Sequence, residues 1–210
     1  MSLADLQGEV VHHRLEKVNN SHAEKLPHFA NELLALCDGN ISAVAVSSGP
    51  GSYTGLRIGS SLAKGICYAK NIPLIAVSAL RGMAAQVAKN TDRDALIISH
   101  LDARRDEVYM QLFDADLQPV SEVKPCILSA GIFEEYNNKH LHIVGDCPSK
   151  FEMLCAISSP VFYYEMMPQS DFVAAEAAEK WVQNKFENTA YFEPSYLKEY
   201  QPGAHKKFTV

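Results

Sequence analysis

Short apolar runs alternate along this chain with longer stretches whose apolar residues recur at helical spacing. Ala43-Val44-Ala45-Val46 has the length and branched composition of a buried strand. A turn through Ser47–Ser52 follows, then a helix predicted to about Ala69, with Ser52 as N-cap and Asn71-Ile72-Pro73 as its stop. Upstream, Ser21 to Cys37 reads as an amphipathic helix. Leu26, Phe29, Ala30, Leu33, Leu34 and Cys37 form its stripe, while Ser21 and Glu24 fit a capping box. Leu36 and His22 fall off that stripe and give the helix a second, weaker face. Ile72–Val77 predicts another strand, and Ser78 caps a helix to about Lys89. Strands follow at Ala95–Ser99, Glu107–Asp114, Leu141–Asp146 and Val161–Tyr164, with a short helix from Leu128 to Asn137. Asp171–Phe186 predicts a helix buried through Ala174, Ala178, Trp181 and Val182, and Gly8–Val18 an edge strand after a turn at Asp5–Gly8. Strand, helix, strand, helix with short links is the pattern of parallel α/β layers. The polar turn Asn90–Asp94 divides the chain into candidate subdomains 1–92 and 93–210, with the tail from about Tyr191 packing back on the first.

In the second helix, Gly51, Gly55, Gly59, Ala63 and Cys67 recur every fourth residue and form one row. Glycine inside a helix costs up to about 1 kcal/mol relative to alanine, so something must come close to that face. Three readings stand: tight packing inside the chain, a phosphate cradle, or a groove for a second subunit. GPGSYTGLRIG matches neither GxxxxGK[ST] nor GxGxxG, and Lys64 lies three turns into the helix. Composition alone leaves the three open.

Other candidate chemistry is sparse. His12 and His13 are neighbours in a strand and point to opposite faces. His140 and His142 share a face without an evident third ligand. Asp102, Asp106 and Glu107 beside Arg104 and Arg105 read as a salt-bridged hairpin turn rather than an acid/base or metal site. Gly145-Asp146 fits a strand-terminating turn as well as a phosphate or ribose contact. No catalytic and no metal residue is assigned. Five cysteines without CxxC spacing argue against a disulfide framework and a zinc ribbon. A formal charge of −6 disfavours direct nucleic-acid binding. No membrane span or signal peptide is apparent, so a cytoplasmic location is expected.

SSGPGSYTGLRIGSSLAKGICYA resembles the signature segment of the TsaB (YeaZ) family. Leu101–Tyr109 resembles that family's DAR-x-x-EVY strand, and Glu193–Lys198 its closing P-x-YLR with lysine for arginine. The resemblance implies the ASKHA (actin-like, RNase H-like) α/β fold with two small subdomains. It further implies a non-catalytic subunit docking on its paralogue TsaD, with the ATPase TsaE, in synthesis of N6-threonylcarbamoyladenosine (t6A) on tRNA. The tRNA would be met only through the complex, and the subunit would carry no cofactor of its own, ATP being used by the complex. The two helices are the family's docking surface, which places His22, Leu26, Phe29, Tyr53, Thr54, Gly55, Arg57, Gly59, Ser61, Ala63 and Lys64 at the interface. The same surface would make a homodimer when the partner is missing.

The sequence departs from the family at its start. An ASKHA domain opens with an apolar strand and hairpin bearing an Asp-Thr-Ser-like loop, and nothing before Gly8 matches that strand. Met1-Ser2-Leu3 reads as an expression scar, and the first sheet is expected to lack a central strand. The rival reading is an autonomous enzyme of the superfamily, an ATP-dependent small-molecule kinase or a peptidase. The kinase would need the phosphate loop of the absent strand, and the peptidase a nucleophile or metal site.

Overall fold

A computed structural model describes residues 1–16 and 22–197, with the backbone alone described at His22. The expected cap Ser21, the side chain of His22 and the tail from Lys198 lie outside the described residues. In chain order the strands are β1 (Ser2–Ala4), β2 (Val10–His13), β3 (Val44–Ser47), β4 (Leu74–Val77), β5 (Leu96–Asp102), β6 (Glu107–Asp114), β7 (Lys124–Ile127), β8 (Leu141–Gly145) and β9 (Val161–Glu165). The helices are α1 (His22–Leu36), α2 (Tyr53–Lys70), α3 (Ala79–Ala88), α4 (Pro148–Leu154) and α5 (Ala174–Val182). Among the described residues no helix is long and apolar enough to cross a membrane.

The second half is built on one five-stranded mixed sheet in the order β7-β6-β5-β8-β9. Its central strands β5 and β8 are buried nearly throughout, as their unbroken apolar runs predict. One core cluster fills the face where Phe133 and Phe151 meet Ile98, Val108 and Ile143. On the opposite face α3 packs through Leu80, Met83 and Val87 against Ile97, Phe113 and Val144. Ser78 caps α3 by accepting a bond from Arg81 N–H at 3.2 Å. Sequence patterning missed β7, whose residues are mostly exposed, and α4, a short helix whose Phe151 alone is fully buried.

The first half contains two separate two-stranded sheets, antiparallel β1-β2 and parallel β3-β4. They do not join. An apolar cavity of about 630 Å³ lies between them, lined by Leu3, Leu33, Ala43, Val46, Gly59 and Trp181 among others. Among the described residues no strand joins the two pairs. Ser2–Ala4 forms a strand, and Met1 exchanges two backbone bonds of 2.8 Å with Arg14. The turn that joins β1 to β2 is fixed by Asp5 Oδ1, which accepts from Gln7 and Glu9 N–H at 2.9 Å.

Two further expectations change. The short helix after Leu128 is only a 3₁₀ turn at Glu134–Tyr136. The last helix starts as a 3₁₀ turn at Asp171–Val173 and ends at Val182, which is 74% exposed rather than buried. Its anchor is instead Glu176, 6% exposed, which accepts from Ser78 N–H at 3.1 Å and pairs with Lys180 Nζ at 2.8 Å. Residues 191–197 return to the first half: Phe192 is buried with Ala63, Cys67, Leu74 and Ala76, and Ser195 N–H donates to Ser48 O at 2.8 Å.

Candidate functional site

The helix α2 is placed by its ends. Ser52 Oγ accepts from Gly55 N–H at 3.4 Å, and Asn71 closes the other end in the left-handed conformation. Lys70 Nζ reaches Gly39 O at 2.8 Å and so ties the end of α2 to the turn after α1. With α1 beside it, α2 lies over β3 and β4.

This placement decides which predicted interface residues are accessible. Thr54, Arg57 and Ser61 are exposed along one side of α2. Gly65 and Tyr68 continue that side; a Cβ on Gly65 would meet nothing within 4 Å, and Tyr68 is 86% exposed. The later members of the four-residue row, Ala63 and Cys67, in contrast face inward, whereas Gly51 at its start is exposed. Ala63 is 5% exposed and packs in the core with Cys67, and a Cβ on Gly59 would lie 4.0 Å from Val46. Gly55 and Gly59 are half-buried on the cavity. Packing inside the chain accounts for Ala63 and Cys67, and Val46 of β3 lies under Gly59. The side-chain-free spot on the open face is Gly65.

The remaining candidates are partly engaged within the chain. Lys64 Nζ donates to Ala190 O at 3.0 Å and Phe192 O at 3.1 Å. The Tyr53 ring meets Tyr196 in a tilted contact with centroids 4.9 Å apart, and the Arg57 guanidinium lies 5.0 Å from the Tyr53 ring. Leu26 and Phe29 are half-buried on α1, with Leu26 on the cavity wall. Leu36, off the apolar stripe, is 50% exposed in the last turn of α1. Tyr68 occupies the corresponding last turn of α2, at the end joined to α1 by Lys70 and Gly39.

A second, polar constellation stands where β5 and β8 end. His100, Asp146 and Cys147 each present a ligand-type atom, all within 4.8 Å of one another. Sequence spacing could not find it, since His100 is far from the other two along the chain. Burial drives the His100 imidazole down to about 4, against the opposing pull of the Ile98 and Cys147 backbone. Burial also pushes the Asp146 carboxyl up, and pushes the Cys147 thiol up to about 12 with help from neighbouring Asp146. Asp102 donates its N–H to Asp146 Oδ1 at 2.8 Å. Burial alone would raise the Asp102 carboxyl, but Lys150, 2.6 Å away, and the Arg104 N–H hold it below the usual range. The hairpin reading of 102–107 holds for the backbone, with Ala103 and Glu107 paired at 3.1 Å. The short ion pair of Asp102, however, goes to Lys150 of α4.

The histidine pairs are separate matters. His140 lies 3.2 Å from Asp92. His142 is buried, stacks on Phe162 and Tyr164, and meets the Tyr164 hydroxyl at 3.1 Å.

Two mixed α/β halves, one around a five-stranded sheet and one around a helix pair on β3-β4, define an ASKHA-like architecture. The structures of two Pseudomonas aeruginosa proteins share it. One is titled YeaZ (TM-score 0.75, 19% identity, 90% of this chain and 92% of that one). The other is described as an uncharacterized protein with similarity to peptidase YEAZ (TM-score 0.74, 20% identity). The family model described as TsaD, tRNA N6-adenosine threonylcarbamoyltransferase, matches residues 9–124. The chain belongs to this family. The tRNA threonylcarbamoyladenosine biosynthesis protein TsaB of Bacillus subtilis is 36% identical over 111 residues, 51% of this chain and 47% of that protein. The Haemophilus influenzae protein of the same name is 33% identical over 106 residues, 49% of this chain and 44% of its own length. The chain thus spans about half the length of the curated relatives it matches.

Proposed function

We propose that this chain is a scaffold subunit in t6A biosynthesis, which docks on a TsaD-type catalytic paralogue through the open face of α1 and α2. The observation that carries the reading is the strip Thr54, Arg57, Ser61, Gly65 and Tyr68 within the family's signature segment. It combines a side-chain-free spot with an aromatic ring 86% exposed, the kind of feature that an interface buries. In this reading the catalytic paralogue transfers threonylcarbamoyl to adenosine 37 of ANN-decoding tRNA in the cytoplasm, and the TsaE ATPase completes the complex. This chain supplies no reacting group and no nucleotide of its own. It meets tRNA through the complex, consistent with its charge of −6. Alone, the same strip pairs two copies. The relatives' names support the pathway, and the exposed strip supports the mode of attachment.

The test is co-purification with the TsaD-family subunit of the same organism, followed by a tRNA modification assay omitting each subunit in turn. Loss of t6A on omission of this chain, with the TsaD-family subunit captured by it, supports the proposal. Full activity without it overturns the proposal. Calorimetry with ATP and Mg²⁺ separates the alternative, an autonomous kinase or peptidase: micromolar binding with turnover by the isolated chain would favour the kinase.

A further inference from the structure

We propose that His100, Cys147 and Asp146 form a binding site for a borderline transition-metal ion of the Zn²⁺ class, at the ends of β5 and β8. The donor set is one imidazole nitrogen, one thiol sulfur and one carboxylate oxygen, the mixture that selects Zn²⁺ or Co²⁺ over Mg²⁺ or Ca²⁺. Zinc bonds of about 2.0–2.3 Å place tetrahedral donors about 3.3–3.8 Å apart. Donors already within 4.8 Å of one another need to close by only about 1 Å.

The surroundings suit that ion. His100 is fully buried, and its Nε2 faces Cys147, accepting only a long 3.4 Å bond from that residue's N–H. Its Nδ1 is buried and makes no hydrogen bond, with the Ile98 backbone nearby. With Nε2 on the metal, Nδ1 carries the ring hydrogen toward that backbone, the usual way in which a ligating imidazole is oriented. The Asp102 N–H at 2.8 Å holds one oxygen of Asp146, and Asp102 in turn pairs with Lys150, so that ammonium is neutralised before it faces the cation. The Cys147 sulfur gives up its proton to solvent as the metal–sulfur bond forms. A divalent ion with one thiolate and one carboxylate is then a neutral unit, suited to a half-buried place. Asp146 and Cys147 are only half-buried, leaving the fourth position open to water or another ligand. The site lies in the second half of the chain, and its failure would leave the docking proposal untouched.

The experiment titrates the reduced, chelator-treated full chain with Co²⁺ and then displaces it with Zn²⁺. The expected result is one equivalent of Co²⁺ showing a thiolate-to-cobalt charge-transfer band and the visible bands of tetrahedral cobalt, both removed by Zn²⁺. Cys147→Ser abolishes the charge-transfer band, whereas Cys126→Ser, a half-buried cysteine elsewhere, keeps it. Should Cys147→Ser fail to fold by circular dichroism, Asp146→Asn serves instead and weakens Zn²⁺ binding by more than about tenfold. Absence of the band in the parent chain overturns the proposal. So does a band that survives Cys147→Ser, or unchanged Zn²⁺ affinity in Asp146→Asn.

Discussion

His100 and Gly145 face each other across the parallel pair β5 and β8, in a register that leaves no room for a side chain on Gly145. A Cβ there would lie 2.7 Å from two atoms of the His100 ring and would also strike the His100 carbonyl oxygen. Backbone cannot yield as a flexible side chain can. Gly145→Ala is therefore expected to cost about 2–3 kcal/mol, read as a lower urea midpoint without a change of slope.

Two of the glycines of α2, Gly59 and Gly65, make opposite predictions. Gly59→Ala adds a methyl at ordinary contact distance from Val46 and removes a helix-interior glycine. It should raise stability by about 0.5–1 kcal/mol in urea unfolding and leave partner capture unchanged. Gly65→Leu should be tolerated by the fold, because it projects into open space. It should nevertheless weaken capture of the TsaD-family subunit by about tenfold or more, a loss on the scale of interface hot spots. Equal capture by both variants would show that the partner does not use this face.

Glu176 joins α5 to the start of α3 from a buried position. Glu176→Ala removes the acceptor of Ser78 N–H and the ion partner of Lys180, whose ammonium keeps only the Ala76 carbonyl at 2.7 Å. The expected cost is about 3 kcal/mol, measured by denaturant unfolding. Glu176→Gln, which keeps an acceptor, should lose less.

His142 gives a pH dependence with a definite sign. Burial, then the neighbouring His140, holds its imidazole below the ordinary histidine range, against the smaller pull of Asp92; the Tyr164 hydroxyl also faces it. The unfolded chain then binds more protons than the folded one just below the ordinary histidine value. Stability must fall as the pH drops from that value through the lower folded one. Urea midpoints measured from neutral to mildly acidic pH should show this fall, and His142→Gln should make it shallower.

Local pattern was enough for most elements. The apolar runs of β3, β4, β5 and β8 and the caps at Ser52 and Ser78 are written in neighbouring residues, because strand burial and helix capping depend on positions only a few apart. The signature segment carried the family, since a contiguous stretch of residues can be matched without knowing what surrounds it. Tertiary structure decided which way the glycine row points: a four-residue repeat marks a face of α2, but only the position of β3 beneath it shows that Gly59 and Ala63 look inward and Gly65 outward. It also decided the polar cluster. His100 comes within reach of Asp146 and Cys147 solely because β5 and β8 pair in parallel, and no spacing along the chain encodes a contact made by sheet register.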